Sequence, residues 1–141
     1  KILREKVKYA LQNNLKVVFC IGENKQEKKN KKTFKILKKQ LSNSLDKKFN
    51  KTNIIVAYEP IWSIGTGKVP SSKELKKTII YIKKVLTKIF KKKIPPVLYG
   101  GSVDDNSVKN FKEIEQIDGF LIGGASKSSK KFIDIIKNYY R

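Results

Sequence analysis

The sequence predicts an α/β protein in which helices cover a parallel sheet. Short apolar strand candidates alternate along the chain with amphipathic helices, and turns rich in glycine or proline separate them. The strand candidates are apolar at consecutive positions, which is typical of parallel strands that are buried on both faces. We therefore expect one helix followed by four βα units, in a single domain that spans residues 1–141.

Each element has its own signal. Leucine and valine side chains at helical spacing predict a first helix at residues 2–13, which Asn13 and Asn14 end. A lysine-rich helix follows the first strand, and Ser71 and Glu74 have the spacing of a capping box ahead of the next one. A short helix is expected at residues 106–114, and a last helix ends the chain. The predicted strands are residues 16–21, 53–58, 97–99 and 119–122.

Lysine dominates the charge of the chain. The net charge is +21, and of the 33 basic residues only Arg4 and Arg141 are arginine. A basic chain can bind nucleic acid, but recognition of bases and phosphates favours the bidentate contacts of arginine. Solvated lysines on helix surfaces explain this composition more simply, so we expect no nucleic-acid partner.

The sequence gives no sign of a membrane segment. Its longest apolar run is far shorter than a bilayer-spanning helix, and no signal peptide opens it. Cys20 is the single cysteine, which excludes a disulfide within the chain and suits a reducing cytosol. We therefore expect a cytoplasmic protein without a membrane partner.

The unusual stretches of the sequence all follow a predicted strand. They are CIGE, YEPIWSIGTGK, YGGS and IGGAS. In parallel α/β folds this edge of the sheet binds ligands. Gly100-Gly101-Ser102 and Gly123-Gly124 would form short turns before helix starts, where bare amides and the helix dipole can hold a phosphate. Glycine pairs also end strands for steric reasons alone, but together with Gly65 they indicate one small anionic ligand.

Glu59 stands where the second strand opens into a loop. Pro60 restricts Glu59 to extended geometry, so that its carboxylate can be aimed. Ile61, Trp62 and Ile64 would form an apolar flap, and shielding from water would raise the basicity of the carboxylate, as a general base requires. The alternative interpretation is an ordinary exposed glutamate beside a core tryptophan.

Together these stretches resemble a known family. AYEPIWSIGTGK, YGGS and GFLIGGAS, with CIGE upstream, resemble the carboxy-terminal half of triosephosphate isomerases, over essentially the whole chain from Lys1 to Arg141. The resemblance implies a TIM barrel, the (β/α)8 fold, of which this chain would supply the last four βα units and a preceding helix. It also implies an enzyme of glycolysis and gluconeogenesis that is cytoplasmic and homodimeric when complete, and that uses no metal or organic cofactor.

The resemblance assigns roles to individual residues. Glu59 would be the base that moves a proton between two carbons of dihydroxyacetone phosphate, giving glyceraldehyde 3-phosphate through an enediolate. Cys20 would be a buried packing residue beside the site. The phosphate would be held by Gly65, Ser102, Gly123 and Gly124, and the closed lid by Tyr99 and Ser102. The lid would comprise Pro60, Ile61, Trp62, Ser63, Ile64, Gly65, Thr66, Gly67 and Lys68.

The chain departs from the family in one large respect. Only four of the eight βα units are expected, and the family's electrophilic histidine and substrate-binding lysine belong to the other half. The chain contains no histidine and no methionine, and it starts at Lys1. We therefore expect a partial chain of a longer enzyme. Because four strands leave an open edge and an uncovered apolar face, we expect these residues alone to be inactive and prone to aggregate.

Two other hypotheses stay open at this point. The chain could be a catalytically dead remnant that acts as a basic phosphate- or polyanion-binding module. Intact Glu59, lid and glycine turns argue against this, because such a module would not need them. Another phosphate-binding βα barrel would explain the glycine turns, but not Glu59-Pro60 combined with Trp62.

Overall fold

A parallel sheet of four strands organises the chain, as the sequence predicts. The structure is a computed structural model that describes residues 2–140, so that Lys1 and Arg141, the ends of the resemblance, lie outside the described residues. The strand order is β1-β2-β3-β4 and all three pairings are parallel. The strands are β1 at Val17–Ile21, β2 at Ile54–Tyr58, β3 at Val97–Tyr99 and β4 at Gly119–Phe120.

Helices connect β1 to β2 and β2 to β3, and two of them begin at clear side-chain caps. Asn24 and Glu27 form a reciprocal capping box at the start of the second helix. The side chain of Ser71 accepts from the backbone N–H of Glu74 and starts the longest helix. The α-helices are α1 at Ile2–Gln12, α2 at Lys25–Lys29, α3 at Thr33–Ser44, α4 at Ser72–Phe90 and α5 at Ser129–Tyr140, and 3₁₀ turns lie at Lys51–Asn53, Ser107–Phe111 and Gly124–Lys127. Among residues 2–140 no helix is both long and apolar enough to cross a bilayer.

The core lies between one face of the sheet and the helices. Phe19, Ile21, Val56 and Tyr99 are buried on this face. The helices supply long aliphatic side chains at helical spacing, and each is excluded from water: Leu37, Leu41, Leu75, Ile79, Ile82 and Leu86. Burying apolar side chains of this size stabilises the fold by about 1.5–3 kcal/mol each.

The other face of the sheet is partly open, although Ala57 at its centre is buried. Its side chains are in register across the strands, with Val18 beside Ile55 and Cys20 beside Ala57, which is itself beside Leu98. We call these five residues the open face. Val18 is 46% exposed and Cys20 is exposed. The prediction that Cys20 is buried is therefore wrong for this chain, because the helices pack on the opposite face of the sheet.

The third connection is a 3₁₀ turn where the sequence predicts a short helix at residues 106–114. The 3₁₀ turn spans Ser107–Phe111. Val108, Phe111, Ile114 and Ile117 are all buried and recur at every third position. Because side chains three residues apart eclipse in a 3₁₀ helix, this spacing favours the tighter turn over an α-helix.

The fourth strand is shorter than predicted. It covers Gly119–Phe120 instead of residues 119–122. The N–H of Leu121 still donates to the carbonyl of Tyr99 at 2.9 Å. Within residues 2–140, β4 pairs on one side only, and the chain turns at Gly123 into a 3₁₀ turn, so the ladder ends early.

Candidate active site

Glu59 lies at the carboxyl end of β2, half-buried, on the edge of the sheet where the glycine-rich turns also lie. Its backbone N–H donates to the carbonyl of Ile21 at 2.7 Å, which continues the pairing of β2 with β1. A β-carbon at Gly22 would lie 1.8 Å from the carbonyl oxygen of Glu59, so only glycine permits this approach. The amide of Gln40 brackets Gly22, donating to its carbonyl at 2.9 Å and accepting from its N–H at 3.0 Å.

The side chain of Glu59 rests on the turn after β3. A β-carbon at Gly100 would lie 2.7 Å from the Cγ of Glu59 and 3.2 Å from its Oε1. The next position is equally close-packed, since a β-carbon at Gly101 would lie 2.2 Å from the hydroxyl of Tyr99. The two glycines of YGGS therefore make room for a carboxylate and a phenol.

The segment predicted to be a lid is docked on the same turn. Ser63 is fully buried, and its hydroxyl lies 3.2 Å from the hydroxyl of Tyr99. The hydroxyl of Ser102 donates to the carbonyl of Ser63 at 2.6 Å and accepts from the N–H of Gly67 at 3.1 Å. The N–H of Ser102 donates to the hydroxyl of Ser63 at 3.2 Å. Tyr99 and Ser102, named from the sequence as lid-closing residues, thus contact the segment in this conformation.

Glu23 anchors the first half of this segment. It is 1% exposed, and its carboxylate accepts from the indole N–H of Trp62 at 2.8 Å and from the hydroxyl of Tyr58 at 3.2 Å. Its carbonyl accepts from the N–H of Ile61 at 3.0 Å. Our sequence reasoning did not name Glu23 as a site residue. Its position in CIGE, directly after the first strand and beside a glycine, is the feature of the sequence that indicates a role at the site.

The predicted lid residues differ in exposure. Pro60 and Ser63 are buried, whereas Trp62 is half-buried. Ile61 is 58% exposed and Ile64 is 48% exposed, so the apolar flap is open to solvent on these two sides. The remaining members, all exposed, are Gly65, Thr66, Gly67 and Lys68.

A cavity of about 700 Å³ brings the predicted residues together. Its wall includes Glu59, Gly65, Ser102, Gly123 and Gly124. A β-carbon at either Gly123 or Gly124 would meet no atom within 4 Å, because both face open space. The lining also includes the predicted lid residues Ile64 and Gly67, together with Asp104, Asp105 and Lys131, which our sequence reasoning did not name. A cavity that brings several glycine turns and a carboxylate together can hold a small anion next to a base.

Three titratable groups on the strands beside the site have raised pKa values. Partial burial raises the pKa of the Cys20 thiol to about 12, and the nearby Glu59 carboxylate adds to this shift. Burial also raises the pKa of the Tyr99 hydroxyl to about 12, although its hydrogen bond with Ser63 opposes the shift. Burial, and then the charge of Glu23, raise the pKa of Tyr58 further still. Among residues 2–140 no group of three or more histidine, cysteine, aspartate or glutamate side chains is placed to hold a metal ion.

Comparison with known proteins identifies the family. A family model described as triosephosphate isomerase matches residues 1–139. The chain belongs to the triosephosphate isomerase family. Among triosephosphate isomerases, that of Mycoplasmoides gallisepticum is 41% identical over 143 residues, which covers 97% of this chain and 56% of the relative. The enzyme of Saccharomyces cerevisiae is 38% identical over 141 residues, covering 98% of this chain and 56% of the relative.

A solved structure gives the same result for the fold. The crystal structure of triosephosphate isomerase from Bartonella henselae matches with a TM-score of 0.87 and 31% identity, covering 99% of this chain and 56% of that one. The prediction that the chain contributes βα units to a TIM barrel is therefore confirmed. The chain spans about half the length of the triosephosphate isomerases it matches. The open face of the sheet follows from this, because in a barrel that face is turned towards the other strands.

Proposed function

We propose that the protein carrying these residues is a triosephosphate isomerase, which interconverts dihydroxyacetone phosphate and glyceraldehyde 3-phosphate. One observation carries the proposal: the Glu59 side chain rests on the Gly100 turn at the wall of a cavity that also contains Gly65, Gly123 and Gly124. A base and an amide cradle in one cavity suit a small phosphorylated substrate that must lose a proton from carbon.

Glu59 would act on the carbon skeleton of the substrate. Its carboxylate removes a proton from C1 of dihydroxyacetone phosphate, the C–H electron pair forms a C1–C2 double bond, and the carbonyl pair moves onto the C2 oxygen. The hydroxyl proton then passes from the C1 oxygen to the C2 oxygen. Glu59 returns its proton to C2, while the electron pair on the C1 oxygen forms the aldehyde. Atoms and charge balance without a redox partner or a cofactor.

The phosphate would be held by neutral groups. Gly65, Gly123 and Gly124 would offer main-chain N–H groups, and Ser102 would hold the lid against the same turn. Amides aimed at a dianion need no reorganisation when it binds. A docked lid would also exclude water, which prevents the enediolate from expelling its phosphate.

Part of the machinery would come from outside these residues. The chain contains no histidine, so polarisation of the substrate carbonyl would require a group elsewhere in the protein. Strands that cover the open face would complete the barrel and bring such a group to the cavity. The complete protein would be a cytoplasmic homodimer, as its resemblance to the family implies.

A coupled assay on the complete protein tests the proposal. We expect isomerisation in both directions, and a loss of roughly a hundredfold or more in kcat for Glu59→Asp, because shortening the side chain by one methylene moves the base away from the substrate carbon. Glu59→Gln should abolish turnover while inorganic phosphate still binds. A protein that binds phosphate without isomerising triose phosphates would instead be the catalytically dead binding module.

A further inference from the structure

Lys28 connects three elements that meet behind the lid. Its ammonium nitrogen lies 3.6 Å from the centroid of the Trp62 ring, over the face of the indole. The same nitrogen lies 2.8 Å from Oε1 of Glu74, at the start of α4. Lys28 itself is on α2, so one side chain bridges α2, the lid and α4.

Two contacts, one at its edge and one over its face, therefore hold the indole of Trp62 in place. At its edge the N–H donates to the buried carboxylate of Glu23, and over its face lies the cation of Lys28. Trp62 directly precedes Ser63, which makes the hydrogen bonds that dock the lid on the Gly100–Ser102 turn. A ring that is fixed in position and tilt therefore places Ser63 for docking.

The position of the cation is itself supported. The capping box of Asn24 and Glu27 fixes the start of α2, and Glu74 pulls the ammonium towards α4. Lys25 and Lys68 line the same small cavity behind Trp62. Neither Lys25 nor Lys68 forms an ion pair among residues 2–140. Lys28 does, and the carboxylate of Glu74 thereby orients its ammonium group. A cation over an indole face is attracted by the ring electrons, and more strongly where it is partly shielded from water.

We infer that Lys28 is a positioning residue of the lid: its ammonium, oriented by Glu74, holds the Trp62 indole in the place that lets the lid dock. Its effect on turnover rests on the proposed function, whereas its effect on the lid does not. Lys28 does not touch the cavity of Glu59, so its removal changes the population of the docked lid and leaves the base and the phosphate cradle in place.

The experiment uses the complete protein labelled with 5-fluorotryptophan, with Trp62→Phe to assign the fluorine resonance of Trp62. The variants are Lys28→Met, Lys28→Arg and Glu74→Gln. Lys29→Met is the matched control, because Lys29 is the adjacent lysine of α2 and makes no ion pair within the described residues. Fluorine spectra without ligand report the lid, and kcat/KM for triose phosphate reports its consequence.

We expect Lys28→Met to shift or broaden the Trp62 resonance and to lower kcat/KM about three- to tenfold, the range that a partly shielded cation–π contact supports. Lys28→Arg should restore both readouts, because guanidinium keeps the charge and stacks on indole. Glu74→Gln should give a smaller change in the same direction, and Lys29→Met no change. A merely structural lysine would lower the melting temperature without moving the resonance.

An unchanged Trp62 resonance in folded Lys28→Met protein, with kcat/KM within twofold of the wild type, would overturn the inference. If Lys28→Met does not fold, an unchanged resonance in Glu74→Gln has the same consequence. Failure of the proposed function is a separate result: the wild type would show no isomerisation, and the fluorine spectra alone would then decide the role of Lys28.

Discussion

Gly100 sits directly beneath the side chain of Glu59, so close that a β-carbon there would lie 2.7 Å from Cγ and 3.3 Å from the carboxyl carbon. Two adjacent strands therefore build one functional unit. Glu59, directly after β2, supplies the carboxylate, and Gly100, directly after β3, leaves the space that this side chain occupies. This relationship sets the direction of the proposed base. The proposed chemistry therefore depends on the carboxylate of Glu59 and equally on the lack of a side chain at Gly100.

Replacing Gly100 should damage catalysis without unfolding the protein. In Gly100→Ala the new methyl group pushes the Glu59 side chain aside, and a base displaced by about 1 Å loses roughly a hundredfold in rate. We expect that loss in kcat, measured by the coupled assay on the complete protein. Gly124→Ala is the contrasting variant, since its β-carbon meets open space. It should change mainly KM for the phosphorylated substrate, and equal kcat losses in both variants would contradict the prediction.

Removing the carboxylate of Glu23 should destabilise the fold. Glu23→Ala leaves the hydroxyl of Tyr58 and the indole N–H of Trp62 without their acceptor in a buried place. Two unsatisfied donors and a small void should together cost about 2–5 kcal/mol of unfolding free energy, measured by urea denaturation. Tyr58→Phe removes the hydroxyl itself and so leaves no donor unsatisfied at this position. It should therefore lower the unfolding free energy by less. Equal costs would mean that packing, and not the hydrogen bonds, matters here.

The thiol of Cys20 should react slowly although it is exposed. Its pKa is raised to about 12, so the reactive thiolate is a small fraction of the thiol at pH 8. Part of that shift comes from the Glu59 carboxylate. Glu59→Gln should therefore lower the pKa of the thiol and speed alkylation by iodoacetamide several-fold at constant pH. The rate is measured on the 141-residue chain with Val18→Lys in both samples, because this change should favour the monomer and Cys20 is the single cysteine of the chain. An unchanged rate would mean that partial burial alone sets the pKa.

The 141 residues by themselves should be inactive and prone to aggregate. The open face presents Val18 at 46% exposure on a strand with an unpaired edge in the described part of the chain, which is a template for association. We expect oligomers by size-exclusion chromatography and no isomerase turnover. Val18→Lys should shift the chain towards monomer, whereas Lys16→Val, at an exposed position just before the strand, should not. Turnover by the isolated chain would refute the prediction.

Much of the fold was predictable from local signals. The parallel sheet, the alternation of strands and helices along the chain and the cap at Ser71 follow from apolar runs, helical spacing and capping residues, and the structure agrees. The boundaries of β4 and the 3₁₀ turn at Ser107–Phe111 were not predicted. Both depend on which neighbours are available for pairing and packing, and periodicity alone does not report this.

The sequence by itself determined the family, because the glycines, the glutamate and the tryptophan stand at a fixed spacing that can be recognised without a structure. It also predicted the edge of the sheet where those residues meet. Only the tertiary structure decided that Cys20 is exposed, that Glu23 receives the indole of Trp62, and that Lys28 lies over the same ring. These facts join residues that are many positions apart, and such contacts are set by how helices pack around the sheet, which no local pattern encodes.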